Sequence, residues 1–433
     1  MSSQTEGNAV IELLQHLDAQ RDNALTLIEQ HNQLLASLLG LGSAHLGAGS
    51  SHPVQPAYAA PFAPAVGSCK KGNVVSLFDY KNQADNGSAA AQTPATPYLV
   101  FDENDAASLA QWGIVVEELL ATYGADDALA INRKQMASTI FLSSAQNGIF
   151  YHKSHSGVLF AVCFVGADEH YASTLNELKA YAEANELQIN LMAQEGRVND
   201  LKACGFTTTP LGIWQRIEPL SAFTLDGQAM RRLRYMVSKY TKSGDCKTLE
   251  YVPGTVPDTD KAICTVIDQW VELKGKTPPF VIDVKEQIMR GGMSHDHRFF
   301  LTYRDSAIDN VMVFSRDNMN NGYLMDLEFY AKDLPLGSTE FALNEIIQCF
   351  RKEGRQLVSL GLTMGTELFE HENCSKDVFV FFDQLKKANF LNGDANAQYK
   401  SKYRPVTAVM HLARPNGCGK KKLNDLMLLL GSA

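Results

Sequence analysis

The chain has 433 residues, of which 45% are hydrophobic and 20% charged, and its formal net charge at pH 7 is -9. This composition excludes a wholly disordered chain, and the negative net charge argues against non-specific nucleic-acid binding through the whole-protein field. A local basic patch would still serve an RNA partner. The length predicts two or three domains. Neither a signal-peptide pattern nor an apolar run of about twenty residues is present, so we expect a cytoplasmic protein without a membrane span.

The first predicted element is an amphipathic helix within residues 1–40. Apolar residues recur at three-four spacing from Val10 to Leu38, and the pattern ends at Gly40. A single narrow apolar stripe needs a partner, which is another protein, a second copy of the chain, or the main body. Residues 41–97 are rich in Ala, Gly, Ser and Pro, a composition typical of a disordered, flexible linker.

From residue 98 onward, helical and strand patterns alternate and predict a mixed α/β fold in two halves. The first half, 98–222, has a helical pattern at Ala106–Tyr123 and ends in a strand at Phe206–Ile217. It carries no glycine-rich turn and no charged strand, which suggests a structural role, and whether this half binds a ligand stays open.

The second half, 223–415, opens with a basic helix at Gln228–Lys242 and again combines strands, a helix at Thr339–Glu353 and another strand. The similar order of elements suggests an internal duplication. Residues 416–433 form a tail with a basic start and an apolar end. We expect this tail to pack on the body, with contact to a partner or a membrane surface as the alternatives.

Four segments of the body resemble the C-terminal domain of phosphatidylglycerol lysyltransferases, in order and within about 111–413. They are the Gly-Phe junction at 205–206 with its basic helix, the Asp-bearing strand and Pro-x-Gly loop in 321–354, Leu-Gly-Leu at 360–362, and Lys-x-Lys at 400–402. The chain departs from the family at 363–365, where Thr-Met-Gly replaces Ala-Pro-Leu. The resemblance implies two tandem GNAT-like (acetyltransferase-like) acyltransferase domains and transfer of an aminoacyl group from charged tRNA.

The candidate site lies in the second half. In acetyltransferase-like folds the acyl donor binds where two strands separate, and the next helix offers free N–H groups to a phosphate. Here that region holds Asp326 and Glu328, which project from one strand face, and the loop residues Gly337 and Ser338. Either carboxylate is suited to deprotonate an attacking amine or to bind a donor amino group. The alternative is that one is solvated and the other is paired with a lysine.

The loop at Gly337 also informs the choice of donor. It has one glycine and no basic residue, which gives little support to the pyrophosphate of coenzyme A. We therefore predict no cofactor, and a donor that is either aminoacyl-tRNA or an acyl thioester on a carrier protein.

Basic side chains complete the predicted site. Arg231, Arg234 and Lys239 lie on or beside one face of the basic helix, and such a face suits phosphate. The alternative is an ordinary solvated helix face. The resemblance adds Lys400 and Lys402, for which the alternative is an edge strand protected by lysines.

His295 and His297 form a His-x-His pattern without an evident third ligand, so no metal site is predicted. Three functions remain open at this point. They are acyl transfer to an amine or hydroxyl acceptor, with natural-product assembly as one setting, aminoacyl transfer to a lipid at the membrane surface, and a non-catalytic adaptor.

Overall fold

The computed structural model describes residues 98–275, 279–366, 374–387 and 393–417. The predicted N-terminal helix, the predicted linker and nearly all of the C-terminal tail lie outside these residues. The described strands are β1 (Leu99–Asp102), β2 (Thr139–Leu142), β3 (Gly148–His155), β4 (Val158–Gly166), β5 (Gln188–Gln194), β6 (Phe206–Ile217), β7 (Cys246–Tyr251), β8 (His297–Arg304), β9 (Ala307–Asp317), β10 (Gly322–Tyr330), β11 (Leu357–Met364) and β12 (Val406–Pro415).

The described α-helices are α1 (Ala106–Tyr123), α2 (Asp126–Leu129), α3 (Arg133–Met136), α4 (Tyr171–Ala184), α5 (Val198–Ala203), α6 (Arg231–Thr241), α7 (Pro257–Lys274), α8 (Pro279–Arg290), α9 (Ser338–Lys352), α10 (Lys376–Lys387) and α11 (Gly393–Ser401). Helix α1 begins where the Asp105 side chain accepts a hydrogen bond from the N–H of Ala107, a common N-cap arrangement. Among the described residues, no helix combines the length and apolar character that crossing a membrane requires.

The twelve strands form one continuous sheet in the order β1-β2-β3-β4-β5-β12-β6-β11-β10-β9-β8-β7. Strands β1 to β4 are an antiparallel meander followed by the parallel partner β5, and β7 to β10 with β11 repeat this arrangement. The mixed α/β fold with two GNAT-like halves is therefore confirmed.

The halves exchange their last strands. Strand β6, from the first half, pairs with β11 of the second, while β12, from the end of the chain, pairs with β5 of the first. Strands β6 and β12 also pair with each other along most of their lengths. The two predicted domains therefore share one sheet.

Alternation along the strands gives the second half two apolar faces. On β8, Phe299 and Leu301 face one core while Phe300, between them, faces the other. Helices α6 and α9 contact each other, as do α7 and α8. Successive side chains of a strand point to opposite faces, so helices cover this part of the sheet on both sides. The strands that carry the site are therefore packed between two cores.

Strands β10 and β11 pair only at their starts, through the registers Gly322 to Leu357 and Leu324 to Ser359. Beyond these pairs both strands have irregularities. The register of β10 against β9 shifts between Met325 and Leu327, and β11 shifts against β6 just after Ser359. Bulges bend a strand away from its neighbour, so the two strands separate at this point.

Candidate active site

A cavity of about 340 Å³ lies where β10 and β11 separate. Its wall contains Asp326 and Glu328 from β10, Leu362 from β11 and Lys400 from α11. A neighbouring cavity of about 740 Å³ shares Glu328 and Leu362 and is lined by the aromatic and polar residues Trp270, Tyr330, Thr339, Asn396 and Tyr399. The structure thus brings both predicted carboxylates and one predicted lysine to a single site.

Asp326 is held by one of its two carboxylate oxygens. Oδ2 accepts a hydrogen bond from the Ile131 N–H at 2.6 Å and another from the Ser315 hydroxyl at 2.5 Å. Burial raises the pKa of Asp326 to about 6, and these two bonds oppose the rise. Oδ1 accepts no hydrogen bond from the described residues, so it is the oxygen available to a ligand in the cavity.

Glu328 lies between charged groups of both signs. Burial, together with the nearby Glu340 carboxylate, raises its pKa to about 7, while Lys274 and Lys402 act in the opposite direction. Lys402 itself forms an ion pair with Glu340 at 2.7 Å. The Lys402 ammonium group therefore acts on Glu328 through its positive charge, while its ion pair is with Glu340.

Lys400 is buried near the end of α11, so the edge-strand interpretation is wrong. Its Nζ donates to the Thr363 hydroxyl at 3.0 Å and to the Gly361 carbonyl at 3.2 Å. Burial lowers the pKa of Lys400 to about 8, and Glu328 partly restores it. At neutral pH a mostly charged ammonium group is thus fixed beside the strand ends.

The first half supplies one side of the candidate site through the segment 124–136. The Ile131 N–H anchors Asp326, and Asp127 and Arg133 line the smaller cavity. Asp126 is fully buried and accepts a hydrogen bond from the Trp214 indole at 3.0 Å. The sequence offers little signal for this role because a backbone N–H leaves no side-chain motif.

The predicted basic face lies elsewhere. Arg231, Arg234 and Lys239 are exposed on α6, and none of them lines the cavities that contain Glu328. The Arg234 guanidinium donates to the backbone carbonyls of Leu225 and Gly227, so it holds the segment that precedes the helix. Phosphate binding by this face stays a prediction.

Gly337 and Ser338 have packing contacts at the start of α9. Gly337 has φ +94°, and a Cβ there would lie 2.1 Å from the Met236 carbonyl oxygen of α6. Ser338 is buried, and its hydroxyl accepts a hydrogen bond from the Asn310 amide. Its N–H donates to the Pro335 carbonyl at 3.2 Å. Of this helix start, Thr339 lines the larger cavity.

The His-x-His pair divides between two environments. His295 is exposed, whereas His297 is partly buried and its Nδ1 lies 3.0 Å from the Ser315 hydroxyl. In the described parts of the chain, no group of three or more His, Cys, Asp or Glu side chains is arranged to hold a metal ion.

Residues 118–413 match the family model described as phosphatidylglycerol lysyltransferase, C-terminal. The chain belongs to this family. Membership confirms the family predicted from the sequence and the enzyme class, an acyltransferase. The family's description names transfer of a lysyl group, which is one kind of aminoacyl group.

Solved structures agree with this fold. The C-terminal domain of a lysylphosphatidylglycerol synthetase from Agrobacterium fabrum is 18% identical, with a TM-score of 0.58 over 74% of this chain and 97% of that one. The structure of L-PGS from Bacillus licheniformis is 16% identical, with a TM-score of 0.58 over 76% and 97%. A Bacteroides thetaiotaomicron protein of unknown function is 11% identical, with a TM-score of 0.52 over 71% and 97%. A search of curated protein sequences finds no match.

Proposed function

We propose that this protein transfers an aminoacyl group from a charged tRNA to an amine or hydroxyl acceptor at the cavity of Asp326. One observation carries the proposal: Asp326, Glu328 and Lys400 line the same cavity at the point where β10 and β11 separate. Membership in a family named for lysyl transfer supports it.

In this proposal Asp326 is the general base. Its Oδ2 is held by two hydrogen bonds, which leaves Oδ1 to accept a proton from the attacking group. A carboxylate whose pKa is about 6 is mostly ionised at neutral pH and is a stronger base than an ordinary aspartate. The acceptor then attacks the ester carbonyl, the ester C–O bond breaks, and the departing ribose oxygen takes up a proton.

Glu328 and Lys400 have complementary roles in this scheme. Glu328 lines both cavities and would pair with the α-ammonium group of the aminoacyl donor. The buried ammonium of Lys400 would stabilise the negative charge that develops on the carbonyl oxygen. Fixed charges in a buried site stabilise such a transition state strongly because they need little reorganisation.

The start of α9 favours an aminoacyl ester over coenzyme A. Gly337 is packed against the α6 backbone, and the Ser338 N–H is already bonded to Pro335. These groups are therefore less available to a pyrophosphate than a free glycine-rich turn would be. A thioester on a carrier protein needs no such turn and is the alternative donor.

The donor is tested by incubating the purified protein with total tRNA charged with labelled amino acids and with a cell extract. Label that moves to a product only with protein present, and not after RNase treatment, supports a tRNA donor. Transfer that resists RNase but requires added carrier thioesters supports the alternative donor. Transfer from neither donor rejects the proposal.

The acceptor has a specific alternative because the family is named for phosphatidylglycerol. Phosphatidylglycerol vesicles added to the same assay would become labelled if a lipid is the acceptor. Label in a water-soluble product would indicate a metabolite or a protein, including one of natural-product assembly.

Three further predictions stay proposals. Cell fractionation tests the predicted cytoplasmic location. Light scattering tests the homo-oligomeric state and the docking of a partner through residues 1–40.

A further inference from the structure

Two hydrogen bonds in series lead away from Asp326 on the side opposite its free oxygen. The Ser315 hydroxyl, fully buried on β9, donates to Asp326 Oδ2 at 2.5 Å. The His297 Nδ1 on β8 lies 3.0 Å from the same hydroxyl oxygen. The imidazole is thereby joined to the carboxylate through one serine.

The sheet fixes this arrangement. His297 and Ser315 are direct partners in the antiparallel register of β8 and β9. Ser315 is also the register partner of Leu324 on β10, two residues before Asp326. Neighbouring strands bring directly opposite side chains within about 5 Å of one another, so the three side chains need no loop to meet.

The far end of the chain approaches the surface. His297 is only partly buried, and among the described residues its Nε2 has no hydrogen-bond partner. The neighbouring charged groups are Asp296, His295 and Lys134, of which His295 is 86% exposed. A proton that reaches the imidazole can therefore pass to water, and burial, which lowers the pKa of His297 to about 4, favours that release.

We propose that Ser315 and His297 form a proton relay that carries protons between Asp326 and solvent. The inference rests on the proposed function, in which Asp326 accepts a proton from the acceptor. His297 and Ser315 act through Asp326 and are positioning and relay residues, not groups that touch the substrate.

The relay answers a requirement of the proton balance. An acceptor in its ammonium form loses one proton to Asp326 before attack. Its nitrogen then forms the C–N bond, the C–O bond to ribose breaks, and a second proton passes from the nitrogen to the ribose oxygen. One proton thus remains on Asp326. It leaves after the neutral carboxyl group turns so that its O–H, rather than Oδ2, faces Ser315. Asp326 then protonates Ser315 Oγ, the Ser315 proton moves to the unprotonated Nδ1 of His297, and Nε2 releases its proton to water.

Other charges act on Asp326 as well. Asp126 raises its pKa, and Asp127, Arg133, Glu328 and Lys400 line the same cavity. A substitution of His297 must therefore be compared with a substitution that leaves all of these charged groups and the relay unchanged. His295→Gln is the matched control, because it removes an exposed imidazole two residues away.

The first measurement is the NMR titration of the histidine ring nitrogens in the full chain. Asp326→Asn should shift the His297 signals and their titration while the His295 signals stay unchanged. This readout does not need activity. If the His297 signals are the same in wild type and Asp326→Asn, the two groups are not coupled and the relay is rejected.

The second measurement is the pH and solvent-isotope dependence of aminoacyl transfer. Glutamine at position 297 can donate a hydrogen bond to Ser315 but cannot carry a proton, so His297→Gln should lower kcat at least about tenfold and enlarge the effect of D₂O. Ser315→Ala should do the same, whereas His295→Gln should match wild type. Normal kcat in both relay variants would reject the relay and leave the proposed function standing. Absence of transfer by wild type rejects the proposed function, and the NMR titration then still decides the coupling.

Discussion

His152, which lies outside the candidate site, tests how burial of a titratable side chain changes the pH dependence of stability. It lies on β3 with 1% of its surface exposed, and among the described residues neither ring nitrogen has a hydrogen-bond partner. Burial lowers its pKa to about 4, against an ordinary value of 6.5. Between these values the unfolded chain binds the proton and the folded chain does not. Stability therefore rises with pH across this window and is lost as the pH falls through it.

The size of the effect follows from the two pKa values. One pKa unit corresponds to about 1.4 kcal/mol, so His152 should cost about 1 kcal/mol of unfolding free energy at about pH 5.5 and about 3 kcal/mol at about pH 4, relative to neutral pH. His152→Leu should remove this loss. At neutral pH the variant should be at least as stable as wild type, because it removes buried polar atoms that lack partners.

The assay is urea denaturation of wild type and His152→Leu at several values between about pH 7.5 and pH 4. His155→Leu is the control, since His155 is exposed on the same strand. The difference between wild type and His152→Leu should grow with acidity, while the control follows wild type. Parallel pH profiles for wild type and His152→Leu would refute the reasoning.

Three further predictions concern the site and its support. Transfer should slow as the pH falls through about 6, because protonated Asp326 cannot act as a base, and a pH-rate profile without an acidic limb would contradict this role. Lys400→Met should reduce transfer. Burial lowers the Lys400 pKa to about 8, so between about pH 8 and pH 10 the unfolded chain binds this proton more tightly than the folded chain. In urea denaturation the unfolding free energy of wild type should therefore rise relative to that of Lys400→Met by about 2 kcal/mol over this range. A difference that stays constant with pH would be inconsistent with the buried charge. Gly337→Ala should lower the unfolding free energy by about 2 kcal/mol or more, because its Cβ would meet the Met236 carbonyl. Gly227→Ala, also at positive φ but with open space around it, should cost less, and equal losses would exclude the clash as the cause.

Local patterns in the sequence predicted much of the fold. The strand at Phe206–Ile217 and the helix at Ala106–Tyr123 have the predicted bounds, because their apolar residues recur with the period of the element. Helix α8 was not predicted, and the short helices α2 and α3 carry too few residues to show a period. The exchange of β6 and β12 depends on pairing between distant residues, which a single sequence does not display.

The candidate site was predicted in part. The alternation predicted that Asp326 and Glu328 project from one strand face, and both line one cavity, which Lys400, added by the family resemblance, also lines. The roles of the three residues stay predictions. The anchoring of Asp326 by Ile131 could not be predicted, because a backbone N–H contributes no residue type to a motif. In the sequence, Gly337 is as compatible with a ligand-binding turn as with close helix packing. In the structure its lack of a side chain allows α9 to approach α6.

The most direct test of the central claim is single-turnover aminoacyl transfer from pre-charged tRNA by wild type, Asp326→Asn and Glu169→Gln. Asp326→Asn preserves the shape of the side chain but cannot accept the proton, and Glu169 is an exposed carboxylate outside the site. The account predicts that Asp326→Asn slows transfer by about 100-fold or more, while Glu169→Gln matches wild type. Equal rates for all three proteins would show that the cavity of Asp326 is not the site of the reaction.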